Sequence, residues 1–349
     1  MRLLSNLLTK DFQGKMETDK VLNPSAINFL SPNARTEDFD TIQSTADGRF
    51  QTLKDGVNQV YRTGDGKVEF IFFDTHVLAC VNSALGYPAY YPLKQVEIKK
   101  PVKAVLMDLD GTSVRSEEFW IWIIQMTAAS LLDNPGFELS EEDLPFVSGH
   151  SVSEHLQYCI DKYCPDKSVE DARNFYFQHT HREMDEIIKG RGRKDAFKPT
   201  PGLKDFLHEL KSRKIKIGLV TSGLYEKAWP EILSAFRTLQ LGDPKEFYDA
   251  IITAGFPLRK GSPGTLGELS PKPHPWLYAE ISRVGLGIDP EDSGHVIGIE
   301  DSAAGVCSIR LANFPVIGVT GGNIEQSSTS GLCHHYCSDF NQILSIIGQ

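Results

Sequence analysis

The chain has 349 residues, 46 acidic against 36 basic side chains, 40% hydrophobic residues and six cysteines. That length implies two or three folded units with ample core, and the composition excludes collagen-like, low-complexity and wholly disordered chains. Residues 1–100 hold 12 basic and 12 acidic groups, so the whole net charge of −10 falls in residues 101–349; such acidity disfavours nucleic acid, whose binding needs a basic surface to displace counterions.

No apolar run approaches the ~18 residues that span a bilayer. The apolar start, residues 1–8, is closed at once by Lys10 and Asp11 and is too short for a signal-peptide core. Six cysteines in a chain of this length make no disulfide scaffold, and a reducing cytoplasm is the expected setting.

Residues 1–36 are polar and Asn/Ser-rich, which predicts a mobile arm or a few loose helical turns. From about 45 to 100 the pattern is β-like. Residues 60–62 and 68–73 flank Gly64-Asp65-Gly66 and predict a hairpin. A turn is expected at Leu85-Gly86-Tyr87-Pro88 and a short strand over 92–98. The first hundred residues therefore read as a small α+β extension that carries no functional motif.

Beyond Lys103 short β-branched runs recur at 104–107, 215–220, 250–253, 296–299 and 315–319, with helical segments such as 202–212 and 275–284 between most of them. Continuous apolar strands alternating with helices predict a doubly wound, Rossmann-like parallel sheet, whose ligand crevice lies at the carboxyl ends of the strands. Residues 114–199 interrupt the alternation with helical periodicity, as in Phe119, Trp120, Ile123 and Ile124, then His155, Leu156, Cys159 and Ile160. They read as a helical cap inserted after the first strand of a core formed by 101–113 and 200–349. The cluster Cys333-His334-His335-Tyr336-Cys337 has zinc-like composition but lacks a second ligand pair at a fixed spacing, so a strand edge is expected.

The strand ends carry the chemistry. The first closes in Asp108-Leu109-Asp110-Gly111-Thr112, the second in Thr221-Ser222-Gly223, and the fourth in Glu300-Asp301-Ser302, while Lys272 opens a helix after Ser270-Pro271. Converging carboxylates are costly unless a hard cation such as Mg²⁺ neutralises them, and Mg²⁺ favours a few carboxylates plus substrate phosphate. A lysine and a hydroxyl beside them would complete an anion site.

In order and context these four motifs, DLDGT at 108–112, GLVTSG at 218–223, the lysine of SPKPHP at 270–275 and GIEDSAAG at 298–305, resemble those of the haloacid dehalogenase superfamily of aspartate-nucleophile phosphotransferases. The resemblance covers roughly residues 101–345. It implies that Asp108 attacks phosphorus to give an aspartyl-phosphate and that Asp110 serves as general acid and then base. It implies that Thr221, with Ser222 and Gly223, binds phosphoryl oxygens and that Lys272 offsets developing charge. Asp108, Asp110 (through its carbonyl), Glu300 and Asp301 would hold Mg²⁺.

Asp110 argues against the dehalogenase and phosphonatase branches, which lack a second aspartate. The cap, with Gly149 near its middle, is similar to the branch containing β-phosphoglucomutase, phosphoglycolate phosphatase and small sugar-phosphate phosphatases. The mutase carries a histidine twelve residues after its nucleophile, where this chain has Trp120, and a cap arginine three residues after the glycine, where this chain has Val152. Both departures favour simple hydrolysis. Arg115 stands where an acid is common, and is read either as facing the substrate's distal group or, preferably, as pairing with Glu118. His150, Ser151 and His155 follow the cap glycine, with His150 a candidate substrate contact. Lys189, Arg191, Arg193, Lys194 and Lys198 form a basic run best read as a solvated face, and a glycine-bearing loop spans 255–271.

The expected activity is Mg²⁺-dependent hydrolysis of a small phosphorylated metabolite, with no nucleic-acid or membrane partner. The alternatives are a sugar phosphomutase, or a hydrolase domain serving an N-terminal binding module.

Overall fold

The computed structural model describes residues 27–81, 88–147, 152–193, 195–253 and 271–348. Expectations placed on residues 1–26, the turn at 85–87, Gly149, His150, Ser151, Lys194 and nearly all of the 255–271 loop fall outside them.

The first sheet is antiparallel and runs in chain order: β1 (Asp40–Ile42), β2 (Val57–Arg62), β3 (Val68–Phe73), β4 (Val77–Val81) and β5 (Ala89–Leu93). The expected hairpin joins β2 to β3, pairing Arg62 with Glu69 and Val60 with Ile71. The strand expected over 92–98 instead covers Ala89–Leu93. Tyr90 and Tyr91 favour extended backbone, and Pro92 is tolerated because β5 is an edge strand. The helical part of this extension amounts, among the described residues, to two short 3₁₀ turns, Ile27–Phe29 and Thr36–Asp38.

A mobile arm is overturned for residues 27–36. Leu30 is 0% exposed, and the buried guanidinium of Arg310 donates to the carbonyls of Leu30, Phe29 and Lys94 at 2.5, 2.7 and 2.9 Å. Ser31 and Asn33 also donate to the Gly331 and His334 carbonyls at 2.6 and 2.8 Å, so partners some 280–300 residues away fix this segment, which its local polarity conceals.

The remaining elements follow as β6 (Ala104–Asp108), β7 (Val114–Arg115), α1 (Glu117–Leu131), α2 (Val152–Tyr163), α3 (Val169–Ile188), β8 (Lys198–Pro199), α4 (Leu203–Ser212), β9 (Lys216–Thr221), α5 (Tyr225–Leu239), α6 (Pro244–Phe247) and β10 (Ala250–Thr253). Then come α7 (Trp276–Glu280), β11 (Val296–Glu300), α8 (Ala303–Leu311), β12 (Val316–Val319), β13 (His335–Cys337) and α9 (Phe340–Gly348). The expected helix over 275–284 is α-helical only in α7 and continues as a wider π turn over Ile281–Gly285.

The second sheet has six parallel strands in the order β10-β9-β6-β11-β12-β13. Every residue of β6 and β11 is buried, as both-face helix coverage requires. Strand order reverses beside β6, which puts the ends of β6, β9 and β11 on one crevice. Helices α1–α3 lie between β7 and β8, whose pairing of Val114 with Pro199 and Arg115 with Lys198 closes the base of the insertion. Within the insertion Asp143 accepts hydrogen bonds from Lys162, Tyr158 and Ser140 at 2.6–2.8 Å, tying the α1–α2 connection to α2.

The Cys333–Cys337 stretch contains the edge strand β13. The His334 ring lies 2.9 Å from the Val96 carbonyl and accepts the Val316 N–H at 3.2 Å, so both of its nitrogens serve packing. All six cysteines are buried, unpaired thiols. No helix among the described residues is long and apolar enough to cross a membrane.

Candidate active site

Asp108 ends β6, and the next residues bend sharply back. The Gly111 N–H reaches the Val114 carbonyl at 2.7 Å and the Val114 N–H the Leu109 carbonyl at 2.8 Å, while the Ser113 hydroxyl donates to the Asp108 carbonyl at 2.5 Å. Gly111 takes φ +85°, and a Cβ there would fall 2.1 Å from Asp301 Oδ2. Only glycine allows this approach of the first strand end to the fourth. Across it, the Thr112 hydroxyl donates to Asp301 Oδ1 at 3.1 Å.

Glu300 and Asp301 close β11 and run into α8, which Ser302 caps by accepting the Gly305 N–H at 3.2 Å. Both Glu300 oxygens are engaged. Oε2 accepts from the Asp301 and Ser302 N–H groups and the Ser302 hydroxyl at 2.9–3.1 Å. Oε1 accepts from Tyr278 at 3.0 Å and from the Lys272 ammonium. Lys272, its side chain only 6% exposed, bridges to Asp108 Oδ1 as well. On the β9 side Thr221 Oγ1 accepts the Gly223 N–H at 2.9 Å, and Ser222 Oγ accepts the Lys272 N–H at 3.2 Å. The structure thus brings Asp108, Asp110, Thr221, Ser222, Lys272, Glu300 and Asp301 to one crevice.

The charges are mutually dependent. Burial and then Glu300 push Asp108 well above the usual carboxylate range, against the pull of Lys272. Burial and Glu300 lift Asp301 to about 7. Burial works to deprotonate Lys272, but Asp108 and Glu300 outweigh it and raise its affinity for the proton. Ligand oxygens of Asp108, Glu300 and Asp301 all lie within 4.8 Å of one another, and no second such group occurs among the described residues. Three buried carboxylates against one lysine form a donor set suited to a hard, oxygen-seeking dication. Glu300 is the most fully hydrogen-bonded of the three.

Two residues escaped the sequence reading. Lys227 and Glu231 lie one turn apart on α5 and face Asp110. The Glu231 side chain is 0% exposed, and neither of its oxygens has a hydrogen-bond partner among ordinary donors. Burial and the adjacent Asp110 push it well above the usual range, which makes it the protonated member of that facing pair. Burial also works to raise Asp110, but Lys227, a 2.6 Å hydrogen bond from Ser116 and Glu231 together hold it below its ordinary value. In sequence Lys227 and Glu231 look like an exposed helical ion pair, and no local signal marks Glu231 as buried or Lys227 as turned toward Asp110.

Other expectations do not join the site. Arg115 is exposed on β7 and makes no ion pair among the described residues. Its expected partner Glu118 pairs instead with Lys198 at 3.0 Å, because β8 runs beside β7. The basic run is a surface network: Lys189 pairs with Asp185 at 2.6 Å, Arg191 with Glu186 at 2.9 Å, and Arg193 covers Trp122 at 5.0 Å. Phe119 and Ile123 are buried, as expected of the aromatic stripe.

Residues 105–254 match the haloacid dehalogenase-like hydrolase family. Among solved structures, a β-phosphoglucomutase candidate from Thermotoga maritima is 21% identical, with a TM-score of 0.51 over 70% of this chain and 98% of that one. A predicted phosphoglycolate phosphatase from Haemophilus somnus is 18% identical, with a TM-score of 0.50 over 71% and 98%. A subfamily IA hydrolase from Geobacter sulfurreducens is 16% identical, with a TM-score of 0.51 over 72% and 100%. At these identities the likeness is one of fold.

Proposed function

We propose that this chain, whose residues 105–254 match the haloacid dehalogenase-like hydrolase family, is a Mg²⁺-dependent phosphatase of a small-metabolite phosphomonoester. The observation that carries the reading is the Lys272 bridge between Asp108 and Glu300, with Asp301 alongside, at the carboxyl ends of β6 and β11. We take 1–100 as an extension, 101–113 with 200–349 as the catalytic core, and 114–199 as a cap.

An Asp108 carboxylate oxygen attacks phosphorus while the phosphorus–oxygen bond to the leaving group breaks, and Asp110 gives that alkoxide its proton. Water then attacks the aspartyl-phosphate, Asp110 takes back a proton, and phosphate departs with Asp108 restored. Lys272 and the Thr221 hydroxyl, with Ser222 and Gly223, hold the phosphoryl oxygens as charge develops on them. Asp108, Asp301 and the carbonyl of Asp110 would hold Mg²⁺, with Glu300 behind them, and the bound cation supplies charge neutralisation at the phosphoryl group. Opening and closing of helices α1–α3 would admit substrate and exclude bulk water from the aspartyl-phosphate.

Trp120, in place of the mutase histidine, supports hydrolysis over isomerisation. Six buried unpaired thiols accord with a reducing, cytoplasmic setting. The experiment is phosphate release with Mg²⁺ across sugar phosphates, phosphoglycolate and nucleotides, by wild type and Asp108→Asn. Release that survives the substitution sinks the mechanism, and an isomerised sugar phosphate without free phosphate would turn the reading toward a mutase.

A further inference from the structure

The N-terminal sheet has no motif of its own, yet it touches the loop that carries the catalytic lysine. Residues 271–275 read Pro-Lys-Pro-His-Pro. Three of the five are prolines without an N–H, so this loop has only two backbone donors with which to hold itself. Both are used: the Lys272 N–H goes to Ser222 Oγ at 3.2 Å and the His274 N–H to the Pro271 carbonyl at 3.1 Å. Besides the Lys272 ammonium, held by Asp108 and Glu300, and the Pro275 carbonyl, bonded by the Ala279 N–H, the loop is tied down at His274, which is buried. Its carbonyl accepts the Ser308 hydroxyl of α8 at 2.6 Å, and its Nδ1 lies 2.7 Å from the hydroxyl of Tyr91 on β5.

Tyr91 is itself anchored to the helix that holds His274. Beyond it, the Lys94 N–H donates to Asn313 Oδ1 at 2.7 Å and the Lys94 carbonyl accepts from Arg310 at 2.9 Å. The Tyr91 ring also meets Trp276, the first residue of α7, edge-on at 6.0 Å. Burial keeps Tyr91 protonated, raising it to about 12, and disfavours charge on His274. At neutral pH the 2.7 Å contact therefore joins an uncharged phenol to an uncharged imidazole.

We propose that Tyr91 is a positioning residue for Lys272, through His274, and that the N-terminal sheet serves the catalytic core as a fixed backing for the Lys272 loop. This rests on the role given to Lys272 above. With the phenol hydroxyl removed, the His274 ring loses its hydrogen bond while the backbone N–H and carbonyl contacts remain, and the loop gains freedom two residues from the ammonium. Placement of Lys272 affects the charge that develops on phosphorus more than initial binding, so the loss belongs in kcat.

The test uses the full chain and Tyr91→Phe, which keeps the ring packed on Trp276. The expected result is a five- to twentyfold fall in kcat with KM within twofold, and no further loss when Tyr91→Phe is added to His274→Ala. Independently of turnover, acetylation of Lys272 by acetic anhydride, mapped by mass spectrometry, should be at least threefold faster in Tyr91→Phe without Mg²⁺. A kcat within twofold of wild type, losses that multiply in the double variant, or unchanged labelling would overturn the proposal. If wild type releases no phosphate from any ester while labelling still differs, the functional reading fails and the positioning role stands.

Discussion

The ammonium of Lys227 lies 4.1 Å from the centroid of the Trp120 indole, joining α5 to α1 beside Asp110. Trp120 stands twelve residues after Asp108, and its ring supplies a π face to a lysine that burial alone would neutralise. The Asp110 carboxylate is the foremost influence that offsets that burial and raises the affinity of Lys227 for its proton. Lys227 in turn is the foremost influence holding Asp110 below its ordinary value against burial.

Lys227→Met keeps the stem and deletes the charge. Asp110 then takes up protons more readily, so the kcat–pH profile of phosphate release should move to higher pH. The second step needs Asp110 ionised, so kcat should fall most on the acid side of the profile and least at pH 8. A profile that keeps its position while its height falls would count against this electrostatic role and leave only a packing one.

Asp301 predicts how metal binding and pH are linked. Burial and Glu300 raise it to about 7 from an ordinary 3.8. Between those values the folded chain retains a proton that the unfolded chain has released, so its contribution to stability is full below about 3.8 and is lost as pH rises through about 7. Asp108 is shifted in the same direction. A cation at these carboxylates competes with their protons. The gain in Tm from millimolar Mg²⁺ should therefore be larger at pH 8 than at pH 6 in thermal melts; an equal or smaller gain at pH 8 contradicts the assignment.

Removing Lys272 leaves Asp108 and Glu300 facing each other without their shared cation. Loss of one partner from a buried ion pair costs about 3–5 kcal/mol. Urea denaturation of Lys272→Met without Mg²⁺ should show a loss of that order at pH 8 and a smaller one at pH 5, because Asp108, raised well above the usual carboxylate range, takes up a proton as pH falls. A loss that is the same at both values would mean that the bridge does not govern this charge balance.

The legible half of the site lies where sequence pattern and chain direction coincide. Strands β6, β9 and β11 read as apolar runs because both faces are covered, and each run stops where the chain emerges into the crevice, which is why Asp108, Thr221, Glu300 and Asp301 stand out. Lys227 and Glu231 were hidden for the opposite reason: the burial of Glu231 and the contact of half-buried Lys227 with Trp120 depend on the helices packed against α5, and nothing in the local spacing of α5 records that. The docking of residues 27–36 was hidden likewise, since it depends on Arg310 and on the carbonyls of Gly331 and His334, far along the chain. Arg115 misled because Glu118, its neighbour in sequence, is claimed by Lys198 across a two-residue strand pair.

Gly305 carries the last prediction. It lies in the first turn of α8, where a Cβ would fall 1.7 Å from Glu300 Oε1 and 1.8 Å from its carboxyl carbon. The conflict is with a carboxylate held by five donors, including Lys272 and Tyr278. Helix propensity favours alanine over glycine by roughly 1 kcal/mol, so Gly305→Ala should change helix content little. It must instead displace Glu300, freeing Lys272 from one of its two anchors and loosening Asp301 next to it. We expect phosphate release to fall a hundredfold or more while the far-ultraviolet circular dichroism stays that of the wild type. A variant with near-native turnover would show that Glu300 can leave this position without cost, and that the Lys272 bridge is dispensable.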